Sequence, residues 1–447
     1  MSWATEEMAQ AALGDRRLNR RAAALLETMS AHPSQSIPAK SSGHAEMTAA
    51  YRFFSNGRFN EQQLLEPHRI KTIERVLQES VVLTVEDTTQ LDYTSHPQTT
   101  GLGPLYQEYL RGLFLHPMLA VTPAGVCLGV LGAKFHAREA DRPKLTPGEK
   151  AARDLVEKES YRWIDGYQQA NALAQMGTTQ VIYVADREGD IEALLDEAQG
   201  QRAHVLVRAR HDRLLEEGER MWDTVWNTRV LGRHEFEMAA RPGRKARRVL
   251  QTIRAQEITL PETAKREHPI TITVVIAHEE HPPEGEEAVS WTLLTTLPVR
   301  GLAGAVQIVE YYRCRWVIEE YFKVLKGGCA VEELQLETAE RLKIAITMYM
   351  IIAYRIFFMV KAGRDNPNIP CTAIFEEEEW KTAYTATMKK RPPKKPPRLL
   401  DITKMVAGMG GYIESNGGLP GAKTLWIGLG KIWAYLYVSD KMAEVAT

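Results

Sequence analysis

The chain has 447 residues, 44% of them hydrophobic and 25% charged, with a formal net charge of −1. That length is long for one core and implies two or three folding units. The composition is that of an ordinary soluble globular protein, and so balanced a charge does not announce a nucleic-acid partner through bulk electrostatics.

Residues 1–69 read as a small helical unit. "GDRRLNRRAAALLETM" predicts a helix whose first half is basic, with Arg16, Arg17, Arg20 and Arg21 close together. A Pro-Ser segment over 33–43 breaks it, and a second helix follows around "AEMTAAYRFFSN", which contains Arg52. From residue 70 the pattern changes. "SVVLTVED" (80–87) predicts a strand ending in an acidic residue, and "GLFLHPMLAVTPAGVCLGVLGAKFHA" a hairpin around a Pro-Gly turn. A helical pattern covers 147–176, "TQVIYVAD" (179–186) is a strand, "GDIEALLDEA" a helix and "AHVLVRAR" (203–210) a strand. That order predicts an α/β mixed sheet with an antiparallel hairpin on one side. Residues 215–300, with "ITITVVIAH" and "VSWTLLTTL", read as an all-β insertion.

"YYRCRWVIEEYFKVLKGG" (311–328) then reads as one helix ending at two glycines. Tyr312, Arg315, Glu319 and Lys326 are separated by three, four and seven residues. At ~100° per residue their side chains fall within a roughly 60° sector. A phenol, a guanidinium, a carboxylate and an ammonium in one sector look like a site. The apolar run Ile344–Val360, interrupted by Arg355, is shorter than the ~20 residues a membrane span needs and predicts a buried core helix within 338–361. "KKRPPKKPPR" (389–398), preceded by the acidic run Glu376 to Glu379, resembles a stiff arm, and the last fifty residues read as helical. This patch and "RPGRKARR" (241–248) are suited to phosphates, though any one such patch reads first as a solvated face. Cys127, Cys314, Cys329 and Cys371 are scattered, with no metal-ligand spacing and no secretory leader before them, which predicts reduced thiols in a cytoplasmic protein.

Asp87 and Asp186 each fall at the end of a predicted strand, where functional groups gather in open α/β sheets. With Glu319 they offer three carboxylates from separate segments, a hard oxygen set suited to Mg²⁺ or Mn²⁺. Taken singly, an aspartate ending a strand is more often a turn former. "VEDTT" (85–89), "ADREGDIEALL" (185–195) and the Tyr312-Arg315-Glu319-Lys326 spacing together resemble the DDE transposases of bacterial insertion sequences, above all those of the transposon Tn-five type. "AALGDRRLNRR", "AAYRFFSN" and "GGLPGAKTLWIGL" extend the resemblance over nearly the whole chain.

The resemblance implies a ribonuclease H-like mixed-sheet core (70–365) with a β-rich insertion at about 211–300, flanked by a helical end-binding domain (1–69) and a C-terminal helical DNA-contact and dimerisation region (366–447). It implies that Asp87, Asp186 and Glu319 bind two Mg²⁺ ions, with Mn²⁺ as a substitute. It further implies cutting of double-stranded transposon ends through a hairpin, joining to target DNA, and a homodimer in the synaptic complex. Tyr312 and Arg315 would hold a phosphate beside a flipped nucleotide, and Lys326 one near the cut. Trp291 would stack on the flipped base and Trp316 wedge into the space it leaves. Arg208 would lie near the active site, and Arg16, Arg17, Arg20 and Arg52 on the transposon end. The protein is expected in the cytoplasm, on the nucleoid when DNA-bound, and not in a membrane. A metal-dependent nuclease and a silent DNA-binding regulator are the competing functions.

Overall fold

The computed structural model describes all residues except 1, 32, 34, 42, 140–158, 217, 239–245, 264–265, 417 and 447. The first part of the 147–176 helical pattern and most of the 241–248 basic patch therefore lie outside the described residues.

The strands, in chain order, are β1 (Val81–Glu86), β2 (Thr89–Asp92), β3 (Gly103–Pro104), β4 (Arg111–Val121), β5 (Cys127–His136), β6 (Gln180–Ala185), β7 (His204–Arg208), β8 (Gly232–Met238), β9 (Arg247–Leu260), β10 (Ile270–Glu279) and β11 (Ser290–Thr295). They form a single sheet in the order β2-β4-β1-β6-β7-β11-β10-β9-β8, with β3 and β5 also on β4. β1, β6 and β7 are parallel neighbours, and β4 runs antiparallel to β1. Hairpin first, then parallel strands joined through helices, is the arrangement of a ribonuclease H-like core.

The insertion departs from expectation in one way: it is not all-β, because Met221–Trp226 is a helix. Its β11 pairs antiparallel with β7 and carries β10, β9 and β8 outward on the same sheet. A strand run predicts pairing but not a partner, so only the assembled sheet decides this.

The sheet separates two cores, and strand alternation assigns residues to them. Leu83 and Val85 of β1, Ile182 and Val184 of β6, Leu206 of β7 and Leu293 of β11 face one core. Val82, Val181, Tyr183, Val205, Val207 and Leu294 face the other, which is covered by the helices Tyr161–Gln175 and Glu192–Glu197. The first core is roofed by the helices Gly301–Arg313, Trp316–Lys323 and Ala339–Asp365. By length and composition Ala339–Asp365 passes for a membrane span, and it is longer than the apolar run suggested; 89% of its apolar window is nevertheless buried in protein.

The helix Arg16–Ala31 begins with cations, which its dipole disfavours; Asp15 offsets this by accepting the N–H groups of Arg17 and Leu18 at 2.7 and 2.9 Å. The helix Glu61–Val76 runs across the expected 69/70 boundary and ties the first helices to the sheet. Buried His68 accepts from the Val130 N–H at 2.9 Å through Nε2, so its other ring nitrogen carries the proton that faces Glu7 at 2.5 Å. Arg75 joins the same carboxylate at 2.7 Å and reaches the Leu128 carbonyl.

Candidate active site

Asp87 directly follows β1 and Asp186 directly follows β6. The strands are parallel and in register, Val85 opposite Val184, so the two aspartates leave the same edge side by side, about 4.8 Å apart in the pairing direction. Both have the parity of Val85 and Val184 and so lie on the side roofed by the motif helices. Arg208, two residues after Leu206, and Trp291, two before Leu293, share that side through β7 and β11. Period-two alternation alone thus gathers four of the expected residues on one face.

The motif segment is not one helix. Gly301–Arg313 ends in a tight turn at Cys314 and Arg315, where the Arg315 N–H bonds the Tyr312 carbonyl at 3.0 Å. Trp316–Lys323 then resumes and closes in a π-turn over Val324–Gly328. The backbone stays helical at the turn, so Tyr312, Arg315 and Glu319 keep a common side, and the π-turn follows around Lys326. Its ammonium pairs with Glu332 at 3.1 Å, and Glu332 in turn accepts the Asp92 N–H. The second of the two glycines has a packing reason: a Cβ on Gly328 would meet the Trp426 ring at 3.0 Å.

Arg315 is the centre of the site. One nitrogen of its guanidinium donates to Asp87 Oδ2 at 2.8 Å and another to Glu319 Oε1 at 2.6 Å. Glu320, the next residue in the chain, is exposed. Burial pushes the Asp87 carboxyl up to about 6; Arg315 pulls it down, while Asp186 and Glu319 push it further up as like charges. Asp87 is held by the Thr88 N–H at 2.7 Å, and Asp186 accepts the Glu188 N–H at 2.8 Å as the cap of a short turn. Asp190, in the same "DREGD" stretch, is structural: fully buried, it accepts the N–H groups of Arg210 and His211.

Burial raises the Tyr312 phenol, which lies beside Arg315, Arg208 and Asp186. Burial lowers the Arg208 guanidinium, which bonds Tyr312 and the Ser290 carbonyl. Trp291 sits edge-on to Tyr312, 5.9 Å between centroids, and is stacked on Phe236 at 5.8 Å with planes 17° apart. Two cations lie over the Trp316 ring, Arg315 at 6.0 Å and Lys323 at 5.6 Å from its centroid. Arg16, Arg17, Arg20 and Arg52 are exposed on the N-terminal helices and touch none of these residues.

Sequence reasoning missed two supports. His116 of β4 bonds the Thr88 hydroxyl at 2.8 Å and approaches buried Glu86 at 3.3 Å, bracing the residue that holds Asp87. Phe236 lies on β8, and its place against Trp291, three strands away, exists only because the outer strands curl back.

Among the described residues no three acidic, histidine or cysteine side chains stand close enough to hold an ion as they are. The Arg315 guanidinium lies between Asp87 and Glu319 and pairs with both. Three carboxylates from three segments, two of them held by one guanidinium, offer oxygen-only donors that fit the chemistry of a hard divalent ion.

Three family models match the chain. Transposase DNA-binding matches residues 1–59, Transposase DDE domain 145–356, and Transposase Tn5 dimerisation domain 351–443. The chain belongs to the DDE transposases of the Tn5 type. A solved structure described as "Cryo-EM structure of piggyBac transposase synaptic complex with hairpin DNA (SNHP)" aligns over 81% of this chain and 72% of that chain, at 10% identity and a TM-score of 0.37. At that score it adds no argument. The transposase is an enzyme that acts on DNA and depends on divalent metal ions.

Proposed function

We propose that this transposase cuts its own element ends through a hairpin intermediate and joins the freed 3′ ends to target DNA, with Asp87, Asp186 and Glu319 as the ligands of two Mg²⁺ ions (Mn²⁺ as a substitute). The observation that carries the reading is the convergence of Asp87 and Asp186, from adjacent parallel strand ends, with Glu319 across the Arg315 bridge. Bound there, the ions supply an activated oxygen nucleophile and charge for the departing 3′ oxygen.

The protein's own side chains do the rest. Arg315 must exchange its two carboxylates for a phosphate when the ions enter, and its fork suits either partner. Tyr312, held against Arg208 and Arg315, is placed to position that phosphate. A base turned out of the helix needs an aromatic face in place of its lost stacking. Trp291, backed by Phe236, offers one beside Tyr312, and Trp316 is the candidate wedge. Lys326 reaches a phosphate near the cut once it leaves Glu332. Arg16, Arg17, Arg20 and Arg52 face outward on the N-terminal unit for the transposon end. Synapsis of two ends requires two protomers, and a homodimer through the C-terminal region is the arrangement proposed.

The test is a denaturing gel of an element-end duplex, taken from the inverted repeats flanking the gene, after incubation with the protein and Mg²⁺. Hairpinned ends are the expected product. Nicks or open breaks alone identify a nuclease, and a mobility shift without cutting a DNA-binding regulator. Asp87→Asn, Asp186→Asn and Glu319→Gln should each reduce cutting at least about a thousandfold, in line with losing a charge-stabilising group, while end binding persists. Near-normal cutting by one of them removes that residue from the site.

A further inference from the structure

We propose that Lys389–Lys395, in the C-terminal unit, is a preformed clamp for the phosphate backbone of duplex DNA, engaged without regard to base sequence. The proposal rests on the DNA-acting function above for its choice of polyanion.

Lys389, Lys390, Arg391, Lys394 and Lys395 place five exposed cations in seven residues. An ordinary solvated patch would be neutralised by nearby carboxylates, and an acidic run lies within reach in sequence. Three of its four carboxylates are engaged elsewhere, and Glu378 is exposed with no cation of the segment paired to it among the described residues. Glu377 pairs with Lys381. Glu379 accepts from the Trp433 indole at 2.7 Å and the Glu376 N–H at 2.8 Å, and pairs with Arg355 at 3.4 Å. Glu376 caps the helix Glu377–Met388. Arg398, just beyond the clamp, is itself satisfied by Asp401 at 2.9 Å. Among the described residues none of the five cations has a carboxylate partner.

The segment is also held in place. Lys389 closes the helix Glu377–Met388 in the left-handed conformation, φ 53°, and donates its N–H to the Thr385 carbonyl at 2.9 Å. At the far end the Cys371 N–H bonds the Pro397 carbonyl at 2.9 Å and the Leu399 N–H the Ile369 carbonyl at 2.8 Å. Pro392, Pro393, Pro396 and Pro397 fix φ in between. Beneath the segment lies an open cleft of about 530 Å³ lined by Trp380, Lys381, Arg391 and Lys394, with Glu377, the partner of Lys381, also on its wall. The chain therefore stands away from the fold as a strap, its charges ordered before any partner arrives, which lowers the entropy lost on binding.

The chemistry selects the partner. The cations fall in two groups, Lys389–Arg391 and Lys394–Lys395, separated by Pro392 and Pro393, so each group can meet neighbouring phosphates of one strand. Residues 389–398 contain no Asn, Gln, Ser or Thr to read base edges, and four of the five clamp cations are lysines, point charges suited to phosphate.

The experiment measures binding of the full chain to a random-sequence duplex by fluorescence anisotropy over a salt series, with chelator present so that no cutting occurs. Replacing all five cations by alanine should weaken binding more than tenfold at low salt and lower the log–log salt slope by about 2 to 4, at ~0.9 for each phosphate left unneutralised. Lys389→Arg, Lys390→Arg, Lys394→Arg and Lys395→Arg together should retain both, and Arg398→Ala should change neither. Unchanged affinity and slope in the alanine variant overturn the proposal, and so does a loss that the arginine variant shares, since that marks a structural role. Because the assay needs no metal and scores no cleavage, its failure is separable from failure of the cutting reaction.

Discussion

Asp87 holds a negative charge where folding alone disfavours it, and that can be measured. Burial lifts its carboxyl from the ordinary 3.8 to about 6, Arg315 notwithstanding, and its side chain is only 20% exposed. A rise of that size corresponds to about 3 kcal/mol between the two protonation states. The sign is set by where the proton sits. Below pH 4 the group is protonated whether folded or unfolded, and the stability is fully present. Between pH 4 and 6 only the folded chain keeps the proton, so stability falls as pH rises, and above 6 the whole penalty applies. Asp87→Asn keeps the shape and removes the charge, leaving Arg315 with Glu319. In chelator, the variant should melt with the wild type near pH 4 and above it at pH 8. With an unfolding entropy of ~2.1 cal/mol/K per residue over 447 residues, 3 kcal/mol is worth about 3 °C. Adding Mg²⁺ at a hundred times its dissociation constant should stabilise the wild type by about 2.7 kcal/mol and the variant far less. A variant that melts lower at pH 8, or an equal response to Mg²⁺ in both proteins, would refute the assignment of Asp87 as a buried ligand awaiting a cation.

Two other perturbations address the stacking platform and the N-terminal unit. Trp291→Ala should nick end duplex within about threefold of the wild-type rate but yield at least tenfold less hairpin, since a base–aromatic stack is worth about 1–3 kcal/mol; equal losses at both steps on the gel would mean that Trp291 serves only to pack Phe236. Glu7 is buried, which raises its carboxyl, but His68 and Arg75 outweigh burial and bring it from 4.5 down to about 2. The stability this gives, about 3 kcal/mol, is present above pH 4.5 and lost as pH falls toward 2. Glu7→Gln should therefore cost stability in urea titrations at pH 7 and progressively less in acid, and a pH-independent cost would point to lost packing instead.

Much of this protein is set by its sequence through local rules. Apolar runs with β-branched residues gave β1, β4, β5, β6 and β7, and placed Asp87 and Asp186 at strand ends. Helical spacing brought Tyr312, Arg315 and Glu319 to one side, and it survived the turn at Cys314 because the backbone there remains helical. These features depend on periods of two and 3.6 residues, which any stretch of chain expresses on its own. What tertiary structure decided is everything that needs two distant segments. β11 pairs with β7 and makes the insertion part of the main sheet. The curl of the outer strands sets Phe236 on Trp291. Lys326 turns to Glu332, and Arg315 lies between Asp87 and Glu319. Glu377 and Glu379 of the acidic run beside Lys389–Lys395 pair with Lys381 and Arg355 instead. Charge identity is written in the sequence, but which opposite charge is nearest depends on packing over hundreds of residues, and no local period encodes that.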